Sequence, residues 1–193
     1  MNTKNFTIKP LTPELLDDYL HFFDSIAFVD NPKWASCYCR CYHFDHGNCD
    51  WDKTTATENR AAVVELIKNE QLKGYLAYAN DQPIGWLNAN HRNNYAIVSY
   101  DKVDKTENIG SLICFLIAKD YRRQGIAHKL LAVACEGFKQ NGFNFAEGYP
   151  VIGVEGDDKN YHGPLALFLS AGFEIYDKEK RDKIEIVIVR KKL

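Results

Sequence analysis

No apolar run in this 193-residue sequence approaches the roughly 20 residues needed to cross a bilayer, so a membrane-spanning protein is not expected. Residues 1–6 lack the apolar core of a secretory leader, which points to a cytoplasmic location where thiols stay reduced and disulfides are disfavoured. Charge of one sign is scarce too. Lys and Arg number 24 against 26 Asp and Glu, a formal net charge of -2, and this gives no global drive toward nucleic acid. Basic residues concentrate only at Arg122-Arg123 and at Arg190-Lys191-Lys192, the latter reading as a solvated tail. Internal repeats and low-complexity linkers are absent, and the chain is long enough for one well-buried core, so a single domain over 1–193 is expected. With 46% hydrophobic and 26% charged residues, the composition is that of an ordinary soluble globule.

What is present alternates between strand and helix signals. A strand is expected over 6–9, then a helix to about Ser25 with Thr12 as N-cap, Pro13 at its first position, and Leu16, Leu20 and Phe23 on its apolar face. Thr55 and Glu58 have the spacing of a capping box ahead of a helix to about Asn69. Strands over 75–79 and 84–90 flank the turn residues Asn80, Asp81 and Pro83, which makes an antiparallel hairpin. A strand over 111–117 continues the sheet, the main helix ends at Asn141-Gly142, and a strand over 144–149 leads to a polar loop over 153–160. A short helix over 164–171 stopped by Gly172, and strands over 173–176 and 184–189 around a charged turn over 177–183, complete a mixed α/β order.

The junction between the 111–117 strand and the main helix carries the clearest chemistry. The apolar run 112–117 suits a strand buried on both faces, and Ala127, Leu130, Leu131, Ala134 and Phe138 recur at helical spacing. Arg122, Arg123, Gln124, Gly125, Ile126 and Ala127 therefore open a helix, where unpaired N–H groups and the positive dipole end meet two guanidinium groups. Such a turn fits a pyrophosphate.

Of the six cysteines, Cys37, Cys39 and Cys41 alternate. A strand here would put three thiols on one face and Tyr38, Arg40 and Tyr42 on the other, with His43, His46 and Cys49 following. Zinc sites pair ligands through tighter Cys-x-x-Cys loops, so core packing or the wall of an acceptor pocket is the main reading, with metal binding as the alternative and no metal ligand assigned. The opposite aromatic face either packs or receives a cationic amine. Cys114 and Cys135 read as core, His128 as an exposed helix residue, and His162 as a capping residue at a loop-to-helix junction.

Arg122-x-x-Gly125-x-Ala127 after a strand resembles the phosphate signature of the GNAT acetyltransferase superfamily, and 165–173, ending in Gly172-Phe173, resembles the short helix that follows in it. A bacterial subgroup of mostly unassigned substrate is similar in Cys37-Tyr38-Cys39, Cys114-Phe115, Glu147-Gly148-Tyr149-Pro150-Val151 and the run from Gly163 through Phe168 to Phe173. The resemblance implies a mixed, mostly antiparallel twisted sheet flanked by helices, with two central parallel strands, here 111–117 and 144–149, splayed apart. It implies that acetyl-coenzyme A lies in that opening, its pyrophosphate on the Arg122 turn and its pantetheine arm against the backbone of Phe115, Leu116 and Ile117, with Asn160 and Tyr161 in the region that contacts the arm.

The implied activity is N-acyl transfer from acetyl-coenzyme A to a primary amine of a small molecule or protein, by direct attack in a ternary complex without metal, in a monomer or homodimer. The tyrosine that often protonates the leaving thiolate falls on Phe168, and the carboxylate that some members carry on the fourth strand falls on Ser111. Glu147 and Tyr149, which share one strand face, are the substitutes offered as catalytic residues. Those two departures also motivate a non-catalytic coenzyme-binding module, and the cysteine segment a zinc-binding interaction protein.

Overall fold

In the computed structural model, residues 6–96, 107–154, 160–181 and 183–193 are described, and within them the chain forms one eight-stranded sheet with four α-helices. Strands β1 (Thr7–Pro10), β2 (Gly74–Ala79), β3 (Gln82–His91) and β4 (Ile109–Ile117) pair antiparallel in that order. The β2–β3 turn works as its residues require: Asn80 and Asp81 both adopt positive φ, 48° and 62°, which Asn and Asp tolerate better than other non-glycine residues. Strand β5 (Phe145–Gly148) lies parallel to β4 but pairs only with Ile109–Leu112.

Beyond that point the two strands part, for two visible reasons. Ile113 is an extra residue in β4, since Cys114 opposes Asn88 while Leu112 opposes Ala89, and such a bulge bends the strand. Pro150, which has no N–H to donate, breaks the other strand, so that β5 and β6 (Val151–Ile152) run end to end along one edge of β8 (Ile184–Lys192). The opposite edge of β8 pairs with β7 (Glu174–Arg181).

Helix α1 (Leu16–Ser25) follows a 3-10 turn at Pro13–Leu15 and buries Tyr19, Leu20, Phe22 and Phe23. Helix α2 (Ala56–Lys68) opens on the complete capping box, with Thr55 accepting from the Glu58 N–H and Glu58 accepting from the Thr55 N–H. Helix α3 (Ile126–Gln140) buries Ile126, Leu130, Leu131, Ala134, Cys135 and Phe138 against the sheet, and α4 (Leu165–Ser170) ends at Gly172, φ 81°. No helix among the described residues is long and apolar enough to cross a membrane.

Three expectations change. The 177–183 turn is instead the continuation of the β7–β8 hairpin, because the alternating residues there pair across to Arg181↔Ile184. Arg190, Lys191 and Lys192 are not a solvated tail: all three lie in β8, Arg190 is 8% exposed, and its guanidinium binds Glu147 and Glu107. The cysteine segment is not a strand, since Tyr38 and Cys39 turn through positive φ, 46° and 55°, and Cys41–His43 is a 3-10 turn. Most of the loop expected over 153–160, including Glu155, Asp157 and Asp158, lies outside the described residues.

Candidate active site

Two clefts lie back to back on the splayed half of β4. Because successive strand residues face opposite ways, Phe115 and Ile117 line one and Cys114 and Leu116 the other. The first, of 580 Å³, runs from Phe115 and Ile117 past Asn160 to the turn before α3, where Arg122, Arg123, Gly125, Ile126, Ala127 and His128 line it. Eight of the eleven residues expected to hold the coenzyme thus share one cleft. Of the remaining three, Leu116 and Tyr161 line the opposite cleft, and Gln124 spends its side chain on the Asp120 carbonyl at 2.8 Å.

The turn is built for close approach. Gly125 caps α3 at φ 83°, and a Cβ added there would meet nothing within 4 Å. The glycine therefore answers to backbone conformation and to open space, in front of a helix whose first N–H groups have no intrahelical acceptor. A diphosphate fits that cradle. Arg122, however, is already engaged: its Nε donates to the Ile117 carbonyl at 3.0 Å, and its two terminal nitrogens hold Asp30 at 2.6 and 3.0 Å. Those hydrogen bonds hold the Asp30 carboxyl below the usual carboxylate range. Arg123, at φ 58°, is exposed.

Splaying strips β4 of a sheet partner, and the chain itself covers part of the loss. The Phe115 N–H donates to the Tyr161 carbonyl at 2.6 Å, so this amide is already engaged before any ligand arrives. Residues 160–163 cross at this point, with Asn160 on the first cleft and Tyr161 on the second.

The second cleft, of 330 Å³, is closed by the segment between α1 and α2. Trp34, Tyr42, Trp51 and Tyr161 wall it, Trp34 and Tyr161 with ring centroids 4.9 Å apart. Although no strand aligns them, Cys37, Cys39 and Cys41 converge here with Cys114 from β4. Burial pushes the Cys37 thiol up to about 12 and Cys41 to about 11, and a hydrogen bond to Cys39 together with burial pushes Cys114 up, so these three thiols stay uncharged. The Cys39 sulfur accepts from Asn88 at 3.2 Å. Among the described residues, no group of three or more His, Cys, Asp or Glu side chains is placed to hold a metal ion.

His162 is not the cap expected at the loop-to-helix junction, where Pro164 is the N-cap of α4 and no side chain caps it. It is 9% exposed, its Nε2 lies 3.4 Å from the Tyr42 hydroxyl, and burial lowers its pKa to about 4, leaving a neutral imidazole behind the second cleft. Burial also holds the Tyr42 hydroxyl in its protonated form. Sequence reasoning named Tyr42 as part of a face that packs or receives an amine, but missed its pairing with His162 and missed Trp34 and Trp51, which are separated from β4 by long stretches of chain and share no motif. His128, as expected, is exposed and bonds to Ser170 at 3.1 Å.

Glu147 and Tyr149 do share a face, and they bond to each other, the hydroxyl donating to the carboxylate at 2.5 Å. Both are buried. Glu147 also binds Arg190 and Arg92, Tyr149 meets the Ser111 hydroxyl at 2.8 Å, and neither lines either cleft. Phe168 is wholly buried, edge-on to Phe115 at 5.9 Å and against Gly148, where any Cβ would collide with its ring.

Comparison with known proteins agrees with this geometry. The profile of the Acetyltransferase (GNAT) family matches residues 32–148. No functionally curated protein matches the sequence. Among solved structures, a GNAT-family acetyltransferase from Streptococcus pneumoniae is similar with a TM-score of 0.58 at 17% identity, over 98% of this chain and 99% of the other. A ribosomal-protein-alanine N-acetyltransferase from Brucella melitensis gives 0.58 at 17% identity, over 97% and 99%. The PaiA N-acetyltransferase from Thermoplasma acidophilum, solved in complex with coenzyme A, gives 0.57 at 16%, over 98% and 99%. At such identities the likeness establishes the fold, and the profile match over more than half of the sequence establishes that the chain belongs to the GNAT acetyltransferase family.

Proposed function

We propose that the protein is an N-acetyltransferase that takes acetyl-coenzyme A in the 580 Å³ cleft and a primary amine, of a small molecule or an accessible protein group, in the 330 Å³ cleft. The observation that carries this reading is the back-to-back placement of the clefts on residues 114–117, with a helix N-terminus fit for phosphate at the far end of one. When bound, the donor supplies a thioester: a C–N bond forms as the C–S bond breaks, and the proton lost by the amine ends on sulfur. Gly125, Ile126 and Ala127 would hold its phosphates with main-chain N–H groups, and Arg123 would add charge. Phe115 and Ile117, two residues apart, line the splay; the Phe115 N–H is taken by the Tyr161 carbonyl, so in this reading the Ile117 N–H would be the donor that polarises the thioester carbonyl. Much of the rate then comes from holding the two reactants at one gap.

Proton handling falls to Tyr42 and His162 in this reading. Tyr42 lines the acceptor cleft and its hydroxyl lies 3.4 Å from the neutral imidazole, so the pair replaces the tyrosine absent at position 168. Glu147 and Tyr149, held in a buried ionic network, are assigned structural work instead. The second reading, a coenzyme-binding module without turnover, draws on the complete burial of Phe168.

Calorimetry with coenzyme A tests the donor site. Gly125→Glu places a carboxylate in the cradle and should weaken binding by about tenfold or more, roughly 1.4 kcal/mol, with the circular dichroism spectrum unchanged. Unaltered affinity in a folded variant would show that phosphates bind elsewhere. Binding to the unmodified protein with no acetyl transfer to any amine would favour the second reading.

A further inference from the structure

We propose that the acceptor is an arylalkylamine: a flat, uncharged one- or two-ring body carrying a single primary amine. The proposal rests on the reading that the 330 Å³ cleft receives the acceptor, and it goes further by naming what that cleft can accept.

Charge decides first. Among the described residues lining the cleft there is no carboxylate, the thiols of Cys37, Cys41 and Cys114 are held neutral, and the one ionic side chain is the exposed cation Lys33. A polyamine, an aminoglycoside or a basic peptide would bring a second ammonium with no counter-ion among those described residues into an apolar space, which is costly, and Lys33 would repel it as well. A single amine escapes this penalty, because desolvation favours its neutral, nucleophilic form.

Shape and surface decide next. Trp34, Trp51, Tyr42 and Tyr161 present ring faces and edges, and the cysteines add polarisable sulfur, a lining that favours an aromatic ring over a sugar. A volume of 330 Å³ lies at the small end of ligand pockets, enough for one or two fused rings and a short chain. Polarity within the cleft is sparse: besides Lys33 and Ser36 it comes from Tyr42, whose hydroxyl lies 3.4 Å from His162 Nε2, and Tyr161, whose carbonyl takes the Phe115 N–H at the crossing where an amine would meet the thioester. The ring would then sit between Trp34 and Trp51.

Mass spectrometry of acetylated product, with acetyl-coenzyme A and a panel of tryptamine, phenethylamine, spermidine, glucosamine and a lysine-containing peptide, tests the class. The two arylalkylamines should exceed the rest in kcat/KM by roughly 100-fold, about 2.7 kcal/mol in the transition state. Trp34→Ala should raise KM for tryptamine about tenfold while leaving the calorimetric affinity for coenzyme A unchanged. Ser36→Asp, which puts a carboxylate on the cleft, should raise the rate with spermidine. Preferential acetylation of spermidine or the peptide by the unmodified protein overturns the proposal, as does coenzyme binding without arylalkylamine turnover. Failure of coenzyme A itself to bind would instead overturn the acetyltransferase reading.

Discussion

Arg122 shows how a residue with a legible role acquires an illegible partner. Its place before a helix-opening glycine marks it as an anion ligand, yet the guanidinium sits in a fork-like pair with Asp30, 92 positions away, on the segment that also contributes Phe28 and Lys33 to the acceptor cleft. Nothing in the local pattern Arg-Arg-Gln-Gly announces a carboxylate so distant in sequence. Donor phosphates and Asp30 compete for one cation, so Asp30→Asn should tighten coenzyme A binding. Partly exposed ion pairs contribute about 0.2–1 kcal/mol, so the gain should reach at most about fivefold in calorimetry and shrink as salt is raised. Weaker binding by the variant would instead make Asp30 a support that aims Arg122.

At the scale of elements, what the sequence shows depends on whether its signals are local. The capping box of α2, the Asn-Asp turn between β2 and β3 and the glycine opening α3 are each set by residues within a turn of one another, and each forms as expected. The cysteine segment fails for the opposite reason. Alternation suggests a strand, but Tyr38 donates to Asp24 and Arg40 to Asn59, and these tertiary bonds hold the backbone in left-handed turns instead. Strand β8 runs three residues past its apolar core because Glu147 needs a cation. Arg190 supplies it inside the sheet, stacked on Tyr176 at 3.7 Å. Removing one member of a buried pair leaves the other charge uncompensated, so Arg190→Met should cost about 3 kcal/mol in urea denaturation, the low end of the expected range because Arg92 still faces Glu147. Adding Glu147→Gln should recover much of the loss. A single variant as stable as the parent would mean that the pair contributes nothing to holding β5 against β8.

For the molecule as a whole, the same burial that shapes the acceptor cleft sets an acid limit. His43, tilted against Tyr95 at 5.2 Å, and His162 behind Tyr42 are both neutral in the fold, their pKa values lowered from 6.5 to about 4 by burial. In the unfolded chain each imidazole binds a proton below 6.5, so between pH 6.5 and 4 the unfolded state holds more protons than the native one. Stability must therefore be fully present above pH 6.5 and decline as pH falls through that window, by up to roughly 2.7 kcal/mol per unit when both residues contribute. Carboxylates such as Asp30, held low by their partners, lose their contribution only at more acidic pH. Thermal melts at pH 7 and pH 5 should differ by many degrees, and His43→Gln and His162→Gln should each remove part of that difference. Only His162→Gln should also shift the acid limb of the pH–rate profile, because His162 alone stands behind the acceptor cleft. Identical melting temperatures at the two pH values would mean that both imidazoles reach solvent in the native state, and Tyr42 would then have no neutral partner through which to pass a proton.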